Sequence, residues 1–387
     1  VSNPASVLPG ALPSANSPGV PYRIMVVDDS AVIRGLLIRS LESDPKIAVV
    51  ASVGDGRMAL NALSRYDVEV VVLDIEMPVM DGLTALPLLI AAKPGLKVIM
   101  ASTLTRRNAD ISLQALTAGA ADYIAKPGAT ALTTADVFKG ELVAKVKALG
   151  EAKRKLAGIA QPTASSARPD TAARAPARRV AGPQPIVLRA ASPEPFDVLA
   201  IGSSTGGPQA LFQLLGNIRG ALTKPIFITQ HMPATFTMIL AEHISRSTGW
   251  VAAEGVDGEI VRGNRVYVAP GDFHMQIEAA GGDKVIRLSK TPPENFCRPS
   301  VDPMLRSLAQ AYGRRLLTVI LTGMGHDGLR GGEAVRDAGG TMIAQDEATS
   351  VVWGMPGAVA TAGLCSAVLP IGELGPYIAK LARRSTP

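Results

Sequence analysis

Two stretches of the chain alternate short apolar runs with longer amphipathic ones, and a polar stretch separates them. In the first, Arg23–Val27, Ile47–Ala51, Val68–Leu73, Lys97–Ser102 and Asp122–Ala125 are short and aliphatic, which predicts five buried strands. Helical spacing recurs between them, at Ala31–Leu41, from Gly56 to Leu63, around Ile111–Thr117 and over Val137–Leu149, with Ser30 placed as an N-cap. Strands alternating with helices predict an α/β domain with a flavodoxin-like, five-stranded parallel sheet. From Phe196 the alternation resumes. Strands are expected at Val198–Ile201, Ile226–Thr229, Arg265–Val268, Val285–Leu288, Leu317–Leu321 and Thr341–Ala344. Helices are expected near Gln209–Gly216, Thr237–Ser247, Pro303–Tyr312 and Gly328–Ala338, again an α/β domain with a mainly parallel sheet.

The intervening residues lose periodicity and are rich in Ala, Pro and Arg. The pattern therefore divides the chain into a disordered tail (1–21), a first domain (22–149), a flexible linker (150–195) and a second domain (196–387). The tail has neither a basic start nor a long apolar centre, so it does not read as a secretory signal. A hydrophobic content of 47% supports two cores, and no apolar run approaches membrane-spanning length, so no membrane insertion is expected. The net charge of +6 suggests nucleic acid until it is located. Between Glu151 and Pro195 stand eight basic and three acidic residues, so nearly all the excess lies in the linker, without interleaved aromatics. No nucleic-acid partner is expected. Two cysteines, Cys297 and Cys365, fit a reducing cytoplasm rather than a disulfide framework.

The chemistry-bearing residues stand at strand carboxyl ends, where doubly wound sheets bind ligands. Asp28 and Asp29 end the first strand and Asp74 the third. Three converging carboxylates repel one another and call for a hard divalent cation, for which Mg²⁺ is suited. Ser102 and Lys126 end the fourth and fifth strands, where a hydroxyl and an ammonium would meet a phosphoryl group on Asp74. Pro127 is a candidate cis residue that would aim Lys126 inward.

In the second domain, Gly202-Ser203-Ser204-Thr205-Gly206-Gly207 follows a strand and opens a helix. Such a turn is a nucleophile elbow, with Ser204 in the middle of G-x-S-x-G, or a phosphate cradle. A serine nucleophile needs a base and an orienting acid. Of the four histidines, His231 ends a strand on the correct edge. His243 lies in a helical pattern, His274 sits in a turn with Asp272 as a local partner, and His326 adjoins Asp327. Asp327 follows the most apolar strand and is the preferred acid. Asp257, Asp302 and Asp346 are rivals, and Asp302 and Asp327 read equally as helix caps. The Gly323-x-Gly325 turn supplies N–H groups of the kind an oxyanion hole requires. The order Ser, His, acid differs from that of the α/β-hydrolases.

Residues 22–149 resemble a response-regulator receiver domain, through V-V-D-D-S, L-D-I-E-M-P-V-M-D-G, M-A-S and Y-I-A-K-P. The resemblance implies that Asp74 accepts a phosphoryl group from a histidine kinase. It also implies Mg²⁺ held by Asp28, Asp29, Asp74 and the Glu76 backbone carbonyl, with Ser102, Tyr123 and Lys126 at the switch positions. The chain from Phe196 resembles the chemotaxis protein-glutamate methylesterases, through A-I-G-S-S-T-G-G, I-T-Q-H-M-P, V-A-P-G-D-F-H-M, R-P-S-V-D, L-T-G-M-G-H-D-G and Q-D-E-A-T-S-V-V-W-G-M-P-G. That resemblance implies Ser204 as nucleophile, His231 as base, Asp327 as orienting acid, and the Met324 and His231 N–H groups as oxyanion donors. It implies a monomeric cytoplasmic hydrolase whose substrates are glutamate methyl esters and glutamines of chemoreceptors, with no cofactor for the ester chemistry and with the receiver gating the crevice. Two positions depart from the family pattern: His326 stands for Asn, and Cys297 for a His. The competing outputs for a receiver are a DNA-binding domain or a non-catalytic adaptor.

Overall fold

The computed structural model describes residues 19–103, 105–126, 132–158 and 186–383, with backbone only over 132–135. The tail before residue 19, Pro127 and linker residues 159–185 lie outside the described residues. The first half runs β1 (Tyr22–Val27), α1 (Ala31–Leu41), β2 (Ile47–Val53), α2 (Gly56–Leu63), β3 (Val70–Asp74), α3 (Gly82–Ala92), β4 (Lys97–Ser102), α4 (Arg106–Thr117), β5 (Asp122–Ala125) and α5 (Leu132–Leu156). Its five strands pair in the order β2-β1-β3-β4-β5, all parallel, as the periodicity predicts. Helix α3 carries no amphipathic signature: it is apolar on most positions and contains Pro87. Its start is set instead by Asp81, whose carboxylate accepts from the Thr84 N–H at 2.7 Å. Helix α5 continues past Leu149 because its last turns are pinned. Arg154 reaches back to Glu69 (Nε to Oε1 2.6 Å) and to the carbonyls of Val20 and Pro21.

The second half runs β6 (Val198–Ser203), α6 (Gly207–Ile218), β7 (Ile226–Gln230), α7 (Ala234–Thr248), β8 (Val251–Glu254), β9 (Arg265–Val268), β10 (His274–Ala280), β11 (Asp283–Ser289), α8 (Val301–Tyr312), β12 (Leu316–Ile320), α9 (Leu329–Asp337), β13 (Thr341–Gln345), α10 (Met355–Thr361), β14 (Ala367–Leu369) and α11 (Ile371–Arg383). Seven strands form a wholly parallel sheet in the order β14-β13-β12-β6-β7-β9-β8, while β10 and β11 form a separate antiparallel hairpin. Strand β6 is central and buried on both faces. Leu199 and Ile201 pack under α6, α7 and α11, and Val198 and Ala200 under α8 and α9. The period of two thus explains why the strand reads as a continuous apolar run. On α6, Leu211, Leu214, Leu215 and Ile218 are buried, and each contributes about 1.5–3 kcal/mol. Residues Arg189 to Asp197 already belong to this half. The Arg189 N–H bonds the Cys365 carbonyl at 2.9 Å and the Ser192 N–H bonds Thr341 Oγ1 at 2.9 Å.

The two halves meet along α4 and β5. Helix α4 packs on α6 and α7, and the Tyr123 ring stacks on Phe236 with centroids 4.4 Å apart and planes within 10°. Around this centre lie polar pairs: Arg106 with Glu242 at 2.9 Å, and Asp110 with His243 at 2.7 Å. Beyond it, the end of α5 faces the 347–354 loop across a cavity of about 750 Å³. Among the described residues no helix is long and apolar enough to cross a membrane.

Candidate active site

Strand β6 lies between β7 and β12, so the crevice at its carboxyl end is a topological switch point. The Ser203–Gly207 turn fills that crevice. Gly206 has φ +77°, and a Cβ there would lie 2.5 Å from Val351 Cγ2. A Cβ on Gly207 would lie 1.9 Å from Gln230 Oε1. Neither position accommodates a side chain in this arrangement, which accounts for these glycines on steric grounds. The Ser204 backbone is tied to both neighbouring strands: its N–H donates to the Thr322 carbonyl (3.1 Å) and its carbonyl accepts from Gln230 Nε2 (2.9 Å).

His231 follows β7 and Asp327 follows β12. Their side chains meet, His231 Nε2 to Asp327 Oδ2, at 2.7 Å. Burial disfavours the imidazolium, yet Cys297 and Asp327 outweigh it and raise His231 to about 10. Burial alone would raise Asp327. The His231 contact, the Val301 N–H and the Ser300 hydroxyl reverse this and hold it at about 2. The pair is therefore a buried carboxylate oriented against the imidazole ring through Nε2. Among the described residues the Ser204 hydroxyl makes no direct hydrogen bond to His231. The Gly323–Gly325 turn lies over the serine, since a Cβ on Gly323 would stand 3.0 Å from Ser204 Cβ. The His231 N–H, expected to be an oxyanion donor, is engaged with the Ser203 carbonyl at 3.2 Å.

Two expectations need correction. His274 is not partnered by Asp272. It opens β10 fully buried, its Nδ1 accepting from the Ser300 N–H at 3.2 Å and its Nε2 facing the Pro292 carbonyl at 3.1 Å. Asp272 turns outward to Arg298 (2.5 Å) and Lys290 (3.3 Å). Asp302 does not cap its own helix. It accepts from the Gly328 and Gly331 N–H groups (3.0 and 2.7 Å) at the start of α9, whereas Asp327 accepts from Val301 and Asp302 (2.6 and 3.1 Å) at the start of α8. The two aspartates each cap the other's helix. Asp257 accepts from the Leu288 N–H of β11 (2.9 Å), and Asp346 serves a local turn through the Thr349 N–H (3.1 Å). His243 is the interface residue that pairs with Asp110. Burial pushes Cys365 up to about 12, which marks it as a core residue.

In the first half, Asp28, Asp29 and Asp74 each offer an oxygen within 4.8 Å of the others. Burial raises Asp74, Lys126 opposes this, and Asp28 adds to the rise. Lys126 Nζ bridges Asp28 Oδ2 and Asp74 Oδ1, both at 2.6 Å. This hard, anionic oxygen set suits Mg²⁺. Ser102 accepts from Ser112 Oγ at 3.1 Å, and Glu76 lies exposed after β3.

The family model for the response regulator receiver domain matches residues 24–136, and that for CheB methylesterase matches residues 199–378. A protein-glutamate methylesterase/protein-glutamine glutaminase of Paramagnetospirillum magneticum is 62% identical over 367 residues, 94% of this chain and 96% of its own. The chain belongs to this family. A relative of the same description from Azospirillum brasilense is 59% identical over 387 residues, 99% of this chain and 98% of its own. The CheB methylesterase catalytic domain of Thermotoga maritima is 40% identical, covers 48% of this chain and 98% of that chain, and superposes with a TM-score of 0.47. Within the family frame the two departures fall differently. His326 is exposed, whereas Cys297 sits against the His231 ring.

Asp122, the neighbour of Tyr123, meets the serine turn across the interface. Thr205, next to Ser204, donates its hydroxyl to Asp122 Oδ2 at 2.6 Å. Lys145 holds the same carboxylate at 3.1 Å. Gln209 on α6 donates to the Leu116 carbonyl and, at 3.1 Å, to the Ala120 carbonyl. Sequence reasoning missed these contacts and missed Asn295, whose amide touches Asp327. The only sequence signal for Asn295 is an Asn just ahead of R-P-S-V-D.

Proposed function

We propose that the chain removes methyl groups from glutamate methyl esters of chemoreceptors, releasing methanol, and deamidates receptor glutamines, releasing ammonia. The 2.7 Å His231–Asp327 pair beneath the Ser204 turn carries this reading. In the fraction of enzyme whose His231 is neutral, Ser204 Oγ attacks the ester carbonyl while His231 Nδ1 takes its proton. Asp327 stabilises the imidazolium through Nε2, and the proton then passes to the departing methoxide oxygen. Water, deprotonated by the same nitrogen, breaks the acyl-serine bond, the proton passes on to Ser204 Oγ as it leaves, and a glutamate carboxylate is returned. The Met324 N–H supplies one oxyanion donor. The His231 N–H supplies a second as its long bond to the Ser203 carbonyl yields.

Phosphorylation controls this chemistry. Asp74 takes a phosphoryl group from a histidine kinase. Mg²⁺ held by Asp28, Asp29, Asp74 and the Glu76 carbonyl would offset the negative charge there, and Lys126 and Ser102 contact the phosphoryl oxygens. In the arrangement described, β5 lies against the serine turn, so the crevice is covered and the resting enzyme is slow. A change at Lys126 and Ser102 loosens Tyr123 and Asp122, and the tethered first half moves aside. The test is methanol release from methylated receptor by wild type, Ser204→Ala and Asp74→Asn, with and without phosphodonor. Ser204→Ala is expected to be inactive, and Asp74→Asn to keep only the unstimulated rate. Equal rates for wild type and Ser204→Ala would overturn the assignment.

A further inference from the structure

Asp302 and Asp327 are both 1% exposed and lie beside each other, so two carboxylates share one dry site. Such a pair repels, and Asp302 is raised by its burial and then by Asp327. One side chain bridges them. The Asn295 amide nitrogen donates to Asp302 Oδ2 at 2.9 Å and to Asp327 Oδ1 at 2.8 Å. Both of its hydrogens are thereby used, one on each carboxylate. The bridge is held by a two-residue turn, in which Glu294 and Cys297 exchange backbone bonds of 3.1 and 2.9 Å. Asn295 (φ +52°) and Phe296 (φ +63°) occupy its left-handed positions. Asparagine tolerates that conformation better than other residues with a side chain, and no alanine or serine there could reach two carboxylates.

We infer that Asn295 is a positioning residue for the esterase reaction, tying Asp327 to Asp302 so that Asp327 stays ionised and aimed at His231. The inference deepens the proposed Ser204–His231–Asp327 mechanism and rests on it. The reciprocal capping fixes each carboxylate to the other's helix, and the amide offsets the repulsion that this closeness creates. Without the amide, the proton the pair gains reaches Asp327 part of the time. A neutral or displaced Asp327 stabilises the imidazolium less, so His231 titrates at lower pH and the maximal rate falls.

The experiment uses the full chain and tritium-methylated chemoreceptor in membranes, and measures kcat, KM and the pH profile of kcat/KM. Asn295→Ala is expected to lower kcat about 10- to 100-fold, with KM within about twofold and the His231 limb at lower pH. Adding Asp302→Asn to Asn295→Ala removes the repelling charge while its amide oxygen still accepts from the α9 N–H groups, so activity is expected to recover. A variant that merely folds less would lose amplitude without moving the limb, and the second change would not restore it. An unmoved limb, a loss confined to KM, or additive losses overturn the inference. Ser204→Ala serves as the separate control. If it is inactive while Asn295→Ala matches wild type, this inference alone fails. If it is active, the mechanism falls and takes the inference with it.

Discussion

Replacing Tyr123 with alanine removes the aromatic contact between the two halves. The stack on Phe236, at 4.4 Å between centroids, contributes about 0.5–1.5 kcal/mol beyond its buried area. Truncating a buried aromatic costs about 3–5 kcal/mol in total. Part of that cost belongs to the fold of the first half itself, because Tyr123 also packs there. We assign about 1.5–3 kcal/mol to the closed arrangement, which shifts the closed-to-open ratio about 10- to 150-fold. The rim gives the contrast. Arg106 and Glu242 are mostly exposed (68% and 48%), and such pairs contribute about 0–1 kcal/mol. The unphosphorylated rate of methanol release is therefore expected to rise at least about tenfold in Tyr123→Ala, up to the rate of the fully open enzyme, and about fivefold or less in Arg106→Ala. Circular dichroism and a melting curve establish that the first half remains folded. An unchanged basal rate in folded Tyr123→Ala refutes the reasoning, as does a larger release by the rim variant.

Asp327→Asn keeps the shape of the site but cannot stabilise an imidazolium, and kcat is expected to fall about 10⁴-fold, read from methanol release. Asp28→Ala removes one of three clustered carboxylates, so phosphorylation of Asp74 by a small-molecule phosphodonor is expected to need far more Mg²⁺, measured by titration of the ion. The His231–Asp327 pair also sets a pH window for stability. Asp327 titrates near 2 when folded, below its unfolded value near 4, so its contribution is present above about pH 4 and is lost as pH falls towards 2. His231 titrates near 10 when folded, above its unfolded value near 6.5, so its contribution is complete below about pH 6.5 and is lost as pH rises towards 10. Denaturation curves of wild type and His231→Gln should differ most between those limits, and a difference that does not vary with pH would count against the pairing.

Most strands were legible because they are buried on both faces, whereas β8 and β14, the edge strands of the larger sheet, were not, and Ser204, His231 and Asp327 stand out because each follows the end of a strand. Helix α3, apolar nearly all round with Pro87 inside, had no period to detect. Strand β10 was hidden because only His274, Met275 and Ile277 along it are buried, so its apolar run is short. The roles of Asp302 and Asp327 could not be separated by local pattern, since each precedes or opens a helix and each caps the other one. The links from Asp122 to Thr205 and from Tyr123 to Phe236 join residues far apart in sequence, and no spacing rule reaches them. Asn295 was invisible for a similar reason: its value lies in two carboxylates that only the folded chain brings together.

Strand β5 is four residues long, and both ends of the regulatory problem hang from it. Asp122 and Tyr123 grip the serine turn and α7, and Lys126, three residues beyond Tyr123, grips Asp74. In the proposed regulation, at about 3.3 Å per residue, a change at Lys126 would travel on the order of 10 Å along one strand to Tyr123. That compactness limits interchangeability. A receiver grafted from another protein would bring its aspartates and lysine and would still be phosphorylated, but without an Asp and a Tyr in register ahead of that lysine it would have nothing to let go of. Under the proposed regulation, the unit to transplant is a pentapeptide in its proper register, Asp122 to Lys126, more than the domain that surrounds it.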